Sequence, residues 1–343
     1  MDTLLRLNHL NVESIANTIR NSNSIILSTH KQCDGDGLGA ALGLYHALKK
    51  QGKNVRVMLV DEVPKKYDFL NSKKYADVYE KPHNPIEKTD LALIFDTNDQ
   101  RLVEPLFSEL NQKCKQVLFV DHHPVLNKGP EPSAGSFIET RAASTGEIAY
   151  FIVKALGIRL DQNIARALYT SISFDTQLFR FVKSSSTSHL ISAELIEYEK
   201  NPEEIHRHLF STYTIGKVNF LAQVLNKIEF FSRHRIAVLL IEKKDLENHN
   251  LDADDSRDVI DMIMNISELQ CAALFREVKK NEFKLSLRSK GSIEVLGIAE
   301  NLDGGGHMYA AGAFIQMPYE KVKEQVVSQL HSRLDANKVS DKS

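Results

Sequence analysis

Apolar residues along the chain fall into short, nearly unbroken runs, separated by stretches where they recur every three or four positions. Residues 24–28, 54–60, 91–95 and 117–120 have the length and β-branched content of buried strands. Between them, 38–48 and 101–112 carry apolar positions at helical spacing, and 64–72 predicts a short helix within a polar connection. The first twenty residues read as an amphipathic helix. Strands apolar on both faces and alternating with helices predict a doubly wound, mainly parallel α/β sheet. A further strand is expected at 136–139. Helices are expected at 142–156, 162–174, 189–198 (with a cap in 184–187) and 203–210, and a long one at 215–231.

After Arg235 the pattern restarts. Strands are predicted at 236–241, 271–278, 283–288 and 310–316, with a turn near Lys280-Asn281 joining the middle two. Helices are predicted at 256–266, 293–300 and 319–334, a tight glycine loop at 304–307, and a disordered tail at 338–343. Antiparallel strands mixed with helices indicate a second, smaller α/β domain carrying the glycine loop. The division expected is 1–200 for the first domain, 201–232 for a helical linker and 233–343 for the second.

The polar residues that interrupt this pattern collect where strands end. The first run gives way to His30, Asp34 and Asp36, with Gly35, Gly37 and Gly39 interleaved; such glycines permit the sharp turn that would bring the two carboxylates together. The third run ends in Asp96, the fourth in Asp121-His122-His123, and the helix at 162–174 closes on Asp175. Any one of these alone reads as a cap, an ion-pair member or a solvated residue. Four apolar segments all ending in such residues read as a site, because open α/β sheets hold ligands at the carboxyl ends of their strands. Carboxylates gathered there repel one another unless cations neutralise them. Mixed oxygen and imidazole donors suit Mn²⁺ or a similar divalent ion better than structural zinc.

Composition narrows the partners. At 343 residues the chain is comfortable for two domains, and 42% hydrophobic with 26% charged residues is ordinary for a soluble globular protein. A formal net charge of −2 supplies no basic footprint for duplex DNA but leaves room for a short anionic ligand held by local cations. Cys33, Cys114 and Cys271 show no CxxC spacing, which argues against a disulfide framework or a zinc site and fits a reducing cytoplasm. No run is long enough to span a bilayer, and no membrane partner is expected.

Asp121-His122-His123, together with His30-x-x-x-Asp34-Gly35-Asp36 and the isolated Asp96 and Asp175, resembles the DHH superfamily of phosphoesterases. Gly304-Gly305-Gly306-His307, with Arg288-Ser289-Lys290 before it, resembles the DHH-associated domain of the RecJ-like branch. The combination spans nearly the whole chain and is highly specific in this order. The nearest subgroup is the bacterial nanoRNase and adenosine 3′,5′-bisphosphate phosphatase group.

The resemblance implies two divalent metals, Mn²⁺ foremost. His30, Asp34 and Asp96 would hold one; Asp36, Asp96, His122 and Asp175 would hold the other, with Asp96 bridging. Asp121 would orient its neighbours and His123 would face the scissile phosphate. Arg288, Ser289, Gly304, Gly305, Gly306 and His307 would bind substrate, and Arg141 with the Ser144-Thr145-Gly146 turn would add phosphate contacts or merely cap a helix. The activity implied is hydrolysis of short RNA oligonucleotides to 5′-mononucleotides and of adenosine 3′,5′-bisphosphate to AMP. A cyclic di-AMP or linear di-adenylate phosphodiesterase shares every motif. A pyrophosphatase of the superfamily fits the glycine segment less well. A catalytically dead nucleotide-binding regulator would be expected to lack a ligand, and none is missing. A homodimer is left open. The first motif departs from the common pattern at Gln32, Cys33, Gly37 and Ala40, none of them a ligand in this carry-over, so the departures bear on substrate preference.

Overall fold

The structure is a computed structural model and describes residues 9–80, 83–125, 129–183, 185–256, 258–291 and 293–340. The chain divides into two compact units, Met1–Thr212 and Tyr213–Ser343.

In the first unit α1 (His9–Asn21) leads into β1 (Ser24–Thr29), α2 (Gly35–Lys50), β2 (Asn54–Leu59), a one-turn α3 (Ser72–Tyr75) and β3 (Ala76–Val78). Then come β4 (Thr89–Phe95), α4 (Leu106–Lys113), β5 (Cys114–Asp121), β6 (Phe137–Ile138), α5 (Thr145–Ala155), α6 (Gln162–Asp175), α7 (Thr187–Ile196) and α8 (Pro202–Phe210). The strands form one sheet in the order β3-β2-β1-β4-β5-β6, and every pairing is parallel. Alternate residues of a strand feed opposite faces: Ile25 and Leu27 join the core under α1, α2, α5 and α6, while Ile26 packs on the α4 side with Met58 and Ile94. Both faces are therefore covered, which is why the strands read as continuous apolar runs. The expected doubly wound parallel sheet is present. Chain order reverses between β1 and β4, the switch point at which α/β sheets open a crevice at the strand ends.

Several local expectations are corrected. The predicted helix 101–112 is a short 3₁₀ turn, Gln100–Leu102, followed by α4, because the intervening Pro105 lacks the amide that a continuous helix would use. Ser184 lies outside the described residues; there, the Ser185 hydroxyl accepts from the Thr187 amide at the start of α7. Of the first twenty residues, 1–8 lie outside the described part, and α1 accounts for the rest. Strand β3 had no clear signal, being three residues at the sheet edge.

The second unit contains α9 (Ile215–Leu225), β7 (Glu229–Phe231), β8 (Ile236–Ile241), α10 (Lys243–Glu247), α11 (Val259–Ile263), β9 (Cys271–Lys279) and β10 (Glu282–Ser289). It ends with α12 (Leu296–Glu300), β11 (Gly305–His307), β12 (Ala310–Gln316) and α13 (Tyr319–Ser340). The single helix expected over 215–231 stops at Leu225, and its last residues pair as β7 with β8. Helix α11 is shorter than 256–266 and α12 shorter than 293–300. Helix α13 continues through Ser340 where a disordered tail was expected, and 341–343 lie outside the described residues. The sheet order is β11-β12-β10-β9-β8-β7, antiparallel except for β8 with β9. One face carries a core shared by all four longer strands with α12 and α13. On the other face an apolar core covers β8 and β9 only, with α9, α10 and α11. Among the described residues no helix is long and apolar enough to cross a membrane.

Candidate metal centre

His30 and Asp96 stand just beyond β1 and β4, on either side of the switch point, and His122 follows β5. Asp96 turns the chain at φ +62°, a left-handed conformation costly for a residue other than glycine, of the kind that gathers at functional sites. The sharp turn after β1 is made by Gln32 at φ +55°. The glycines do not make it. Gly35, Gly37 and Gly39 all lie inside α2, which starts three residues earlier than expected. A Cβ on Gly39 would meet the Ala167 carbonyl at 2.5 Å, and one on Gly37 would meet the Thr29 hydroxyl at 2.0 Å and Asp96 Cβ at 3.1 Å. Their role is to let α2 press against α6 and the end of β1, which sets Asp36 against the other ligand candidates.

Two ligand groups result. In one, His30, Asp34 and Asp96 each place a donor atom within 4.8 Å of the others; in the second, Asp36, His122 and Asp175 do the same. Asp96 faces both: its Oδ2 is 3.5 Å from His30 Nε2 and its Oδ1 is 3.7 Å from His122 Nε2. A third grouping joins Asp96 with Asp121, His122 and His123.

The donors are held in place by a second layer of contacts. His30 Nδ1 lies 2.9 Å from the Lys31 carbonyl; a carbonyl only accepts, so Nδ1 carries a proton there and Nε2 is the ring atom turned towards the carboxylates, free to act as a ligand once it gives up its own proton. His122 Nδ1 lies 3.3 Å from the Ala142 carbonyl and 3.4 Å from the Lys183 ammonium, which together hold the ring in place. Its Nε2 is buried without a hydrogen-bond partner, 3.5 Å from Asp36 Oδ2 and 3.4 Å from Asp175 Oδ2. An orphaned buried acceptor aimed at carboxylate oxygens, which accept too, fits a cation placed between them. Asp34 uses one oxygen to cap α2, accepting from the Asp36 and Gly37 amides, and turns the other to within 3.8 Å of His30. Asp36 accepts from the Thr145 amide at 2.8 Å, the Gly146 amide at 3.1 Å and the Ser171 hydroxyl, so the positive end of α5 rests on it. Thr145 Oγ1 donates to Asp96 Oδ1 at 3.1 Å. The Ser144-Thr145-Gly146 turn is thus spent on Asp36 and Asp96 and on capping α5, and Arg141 is paired with Glu139 at 2.6 Å.

Asp121 is fully buried at the end of β5. Its Oδ1 accepts from the His122 amide and from His123 Nδ1 at 2.9 Å, while Asn98 Nδ2 donates to its Oδ2 at 2.7 Å. His123 is about half exposed, so its Nε2 edge is the one free to meet a ligand. Asn98, Ser171 and Lys183 were not singled out from sequence. Asn98 is two residues beyond Asp96, and Ser171 lies one helical turn before Asp175; both spacings carry a usable signal. Lys183, whose ammonium donates to the Thr140 carbonyl and lies 3.4 Å from the His122 ring, had none.

Electrostatics report the crowding. Burial, then the neighbouring Asp96, Asp175 and Asp34, push Asp36 well above the usual carboxylate range; burial with Asp96 and Asp34 pushes Asp175 up to about 7. Burial lowers His30, but Asp34 and Asp96 outweigh it and raise the ring to about 11. Burial, His123 and Lys183 hold His122 down to about 3, so that ring is neutral. Burial is outweighed at His123 by Asp121, Asp96 and Asp175, which raise it to about 9. Carboxylates that resist ionising together are what divalent cations would relieve.

In the second unit the glycine motif is an edge strand, β11, paired with β12, and not a tight loop. A Cβ on Gly304 would meet the Gly312 carbonyl at 2.2 Å, and Gly306 adopts φ +140° with the Ala310 carbonyl 2.6 Å from where a Cβ would be. Those two glycines answer to internal packing; around Gly305 nothing lies within 4 Å. His307 is the last residue of β11. Arg288, near the end of β10, reaches Asp261 Oδ1 at 3.3 Å, and the Ser289 hydroxyl accepts from the Ile293 amide.

Comparison with known proteins agrees with this arrangement. The DHH family N-terminal domain matches residues 24–172 and the DHHA1 domain matches 234–335. A bifunctional oligoribonuclease and PAP phosphatase NrnA from Thermus thermophilus is 30% identical over 319 residues, covering 89% of this chain and 90% of that protein. The protein of the same name from Mycoplasma genitalium is 28% identical over 301 residues, covering 87% and 91%. An exopolyphosphatase-related protein from Bacteroides fragilis has the same fold, with a TM-score of 0.85 at 21% identity over 98% of this chain and 100% of that one. With its motifs on the strand ends where two ligand groups meet and its length matched almost throughout, the chain belongs to the DHH family of proteins that carry a DHHA1 domain, together with the NrnA proteins it resembles.

Proposed function

We propose that the chain is a metal-dependent phosphoesterase that hydrolyses short RNA oligonucleotides to 5′-mononucleotides and adenosine 3′,5′-bisphosphate to AMP. The observation that carries this reading is Asp96, which presents one oxygen to His30 and Asp34 and the other to the group of Asp36, His122 and Asp175. Asp96 would therefore be shared by both ligand sets, and the relatives named as oligoribonuclease and PAP phosphatase supply the substrate class. His30, Asp34 and Asp96 would hold one ion and Asp36, Asp96, His122 and Asp175 the other; imidazole mixed with carboxylate oxygen favours Mn²⁺. Two such ions supply a nucleophile at neutral pH and neutralise the charge that develops on phosphorus.

The chain's own groups do the rest. Asp121, held from behind by Asn98, fixes His123 so that Nε2 points outward, and with its pKa raised to about 9 the ring is protonated at neutral pH and can donate to a phosphate oxygen. Helix α5 and Ser171 keep Asp36 from rotating as substrate enters. Residues 1–200 would carry the chemistry, 201–232 the connection, and 233–343 the substrate grip, through Arg288, Ser289, Gly304, Gly305, Gly306 and His307. Free cysteines and the absence of a basic footprint support a reducing cytoplasm and short single-stranded substrates.

The test is a panel of diribonucleotide, 24-nucleotide RNA, adenosine 3′,5′-bisphosphate, cyclic di-AMP and pyrophosphate, each with Mn²⁺, Mg²⁺ or EDTA. Rapid release of 5′-mononucleotides from the dimer and of phosphate from the bisphosphate, both lost in EDTA, is expected. Preference for cyclic di-AMP or pyrophosphate, or turnover that survives EDTA, would replace this reading.

A further inference from the structure

The half of the second sheet that its helices leave bare is ordered in a particular way. Glu282, Lys284, Ser286 and Arg288, the alternate residues of β10, do not enter the main core of the second unit, and none belongs to the core beneath α9, α10 and α11. The strand registers place their neighbours. Arg276 of β9, Lys284 of β10 and Phe314 of β12 stand side by side across three strands. Leu274, Ser286, Gly312 and Gly305 form the next row on that face, two residues along; Ala272, Arg288, Ala310 and His307 hold register in the row beyond it.

The first of these rows is unusual. Two cations directly opposite each other on neighbouring strands repel, and a fold normally answers them with a carboxylate. Among the described residues neither Arg276 nor Lys284 is within ion-pair distance of one, and Glu282, the nearest acid along the strand, is turned to Lys279 at 3.8 Å. Beside Lys284, Phe314 is 52% exposed, a large aromatic face given to solvent. An uncompensated pair of cations next to an exposed aromatic ring on an open sheet face is the chemistry that takes single-stranded nucleic acid: the cations meet a phosphate and a base stacks on the ring.

We propose that Arg276, Lys284 and Phe314 form a second nucleotide subsite, one that holds a phosphate and base of a short RNA beyond the nucleotide gripped at Arg288 and the glycine strand. Four residues of strand separate Arg288 from Lys284, about 13 Å at the rise of a strand. One phosphate cannot touch both ends; a chain of several nucleotides can. The row between them, Ser286, Gly312 and Gly305, presents no long side chain to block the path. The subsite therefore contributes to oligonucleotides of about four or more residues, and a dinucleotide or adenosine 3′,5′-bisphosphate does not reach it. This inference rests on the reading of the chain as a short-RNA phosphoesterase and deepens it.

The full-length protein and its Lys284→Ala, Phe314→Ala and Arg276→Ala variants are compared in kcat/KM on di-, tetra- and pentaribonucleotides and on the bisphosphate, after thermal melts establish that each variant is folded. Each variant is expected to lose about tenfold on the tetra- and pentanucleotide, the cost of one stack or one charged contact, and less than twofold on the two small substrates. Phe314→Tyr and Lys284→Arg should recover the long-substrate rate, and Phe314→Leu should not. Equal loss at all lengths, or none, overturns the proposal. Binding of a labelled pentanucleotide in EDTA is followed in parallel by anisotropy. If the wild-type chain cuts none of the panel, the phosphoesterase reading fails by itself, and the subsite still stands or falls by whether Phe314→Ala weakens that binding about tenfold. A change in oligomeric state with unaltered RNA binding would make this face a contact between copies and overturn the subsite.

Discussion

The two regions proposed to meet ligands are built on opposite plans. At the carboxyl ends of the first sheet nearly every polar atom is answered from behind: Asp36 by two amides of α5 and a serine, Asp121 by Asn98 and two histidines, His30 and His122 each by a carbonyl. On the second sheet the groups expected to hold substrate are unevenly held, Gly304 and Gly306 packed closely against β12 and Arg288 with few partners. Arg288 has one exposed aspartate and its neighbour's carbonyl, Leu287 O, and half the sheet face has no apolar core over it. The contrast follows from what each task demands. Chemistry at phosphorus depends on donors fixed to a fraction of an ångström, whereas a grip on chains of varying sequence gains from side chains that can still move.

The sharpest way to break the comparison is to remove the residue shared by both ligand groups. Asp96→Asn keeps the shape but gives up the charge that faces both His30 and His122, and kcat on a diribonucleotide should fall by more than about a hundredfold. The protein should still melt cooperatively. A variant that keeps more than a few per cent of the rate would show that the two groups do not act together.

A smaller and more selective effect is expected on the loosely built side. Arg288→Ala should lower kcat/KM for nucleotide substrates by roughly tenfold, the scale of one charged hydrogen bond. Mn²⁺-dependent hydrolysis of bis-p-nitrophenyl phosphate, which has no nucleoside to grip, should stay within about twofold. Equal collapse of both activities would place Arg288 in the chemistry itself.

The smallest effect concerns protons. His30 is raised from 6.5 to about 11 and Asp175 from 3.8 to about 7 in the absence of metal. Both therefore hold protons in the folded chain that the unfolded chain releases earlier, and this stabilising contribution is lost as pH rises. Between about pH 6.5 and 8.5 the Tm of the EDTA-treated protein should drop by a few degrees. Divalent metal needs the same groups unprotonated, so the rise in Tm on adding Mn²⁺ should grow over that window. Scanning calorimetry at several pH values reads both, and a metal increment that shrinks with pH would contradict the ligand assignment.

Much of this was legible in the residues. The four apolar runs, their parallel arrangement and the set His30, Asp34, Asp36, Asp96, His122 and Asp175 could be read because a buried strand and its polar terminus leave a local signal. What escaped notice depends on distant partners. Gly37 and Gly39 look like turn formers until α6 and Thr29 are seen against them, and Gly304 looks like a ligand-binding loop until the Gly312 carbonyl fills the space. The segment Glu229–Phe231 has no helix-stop glycine before it and becomes a strand only because β8 offers an edge. The support given by Thr145 to Asp36 bridges more than a hundred residues of sequence, and periodicity carries no trace of it.

The span of the metal centre sets a timetable for its birth on the ribosome. Its donors run from His30 to Asp175, and the strand that brings Asp96 beside His30 pairs across the switch point only after some seventy residues of later chain have been made. A nascent chain that ends before α6 already carries His30, Asp34 and Asp96 but lacks Asp175 from the second group and Ser171 behind Asp36. The first unit is complete only at Thr212, with residues 213–343 still to be made. On this order the proposed ligand set is complete before residues 233–343, the segment proposed to grip substrate, have been made.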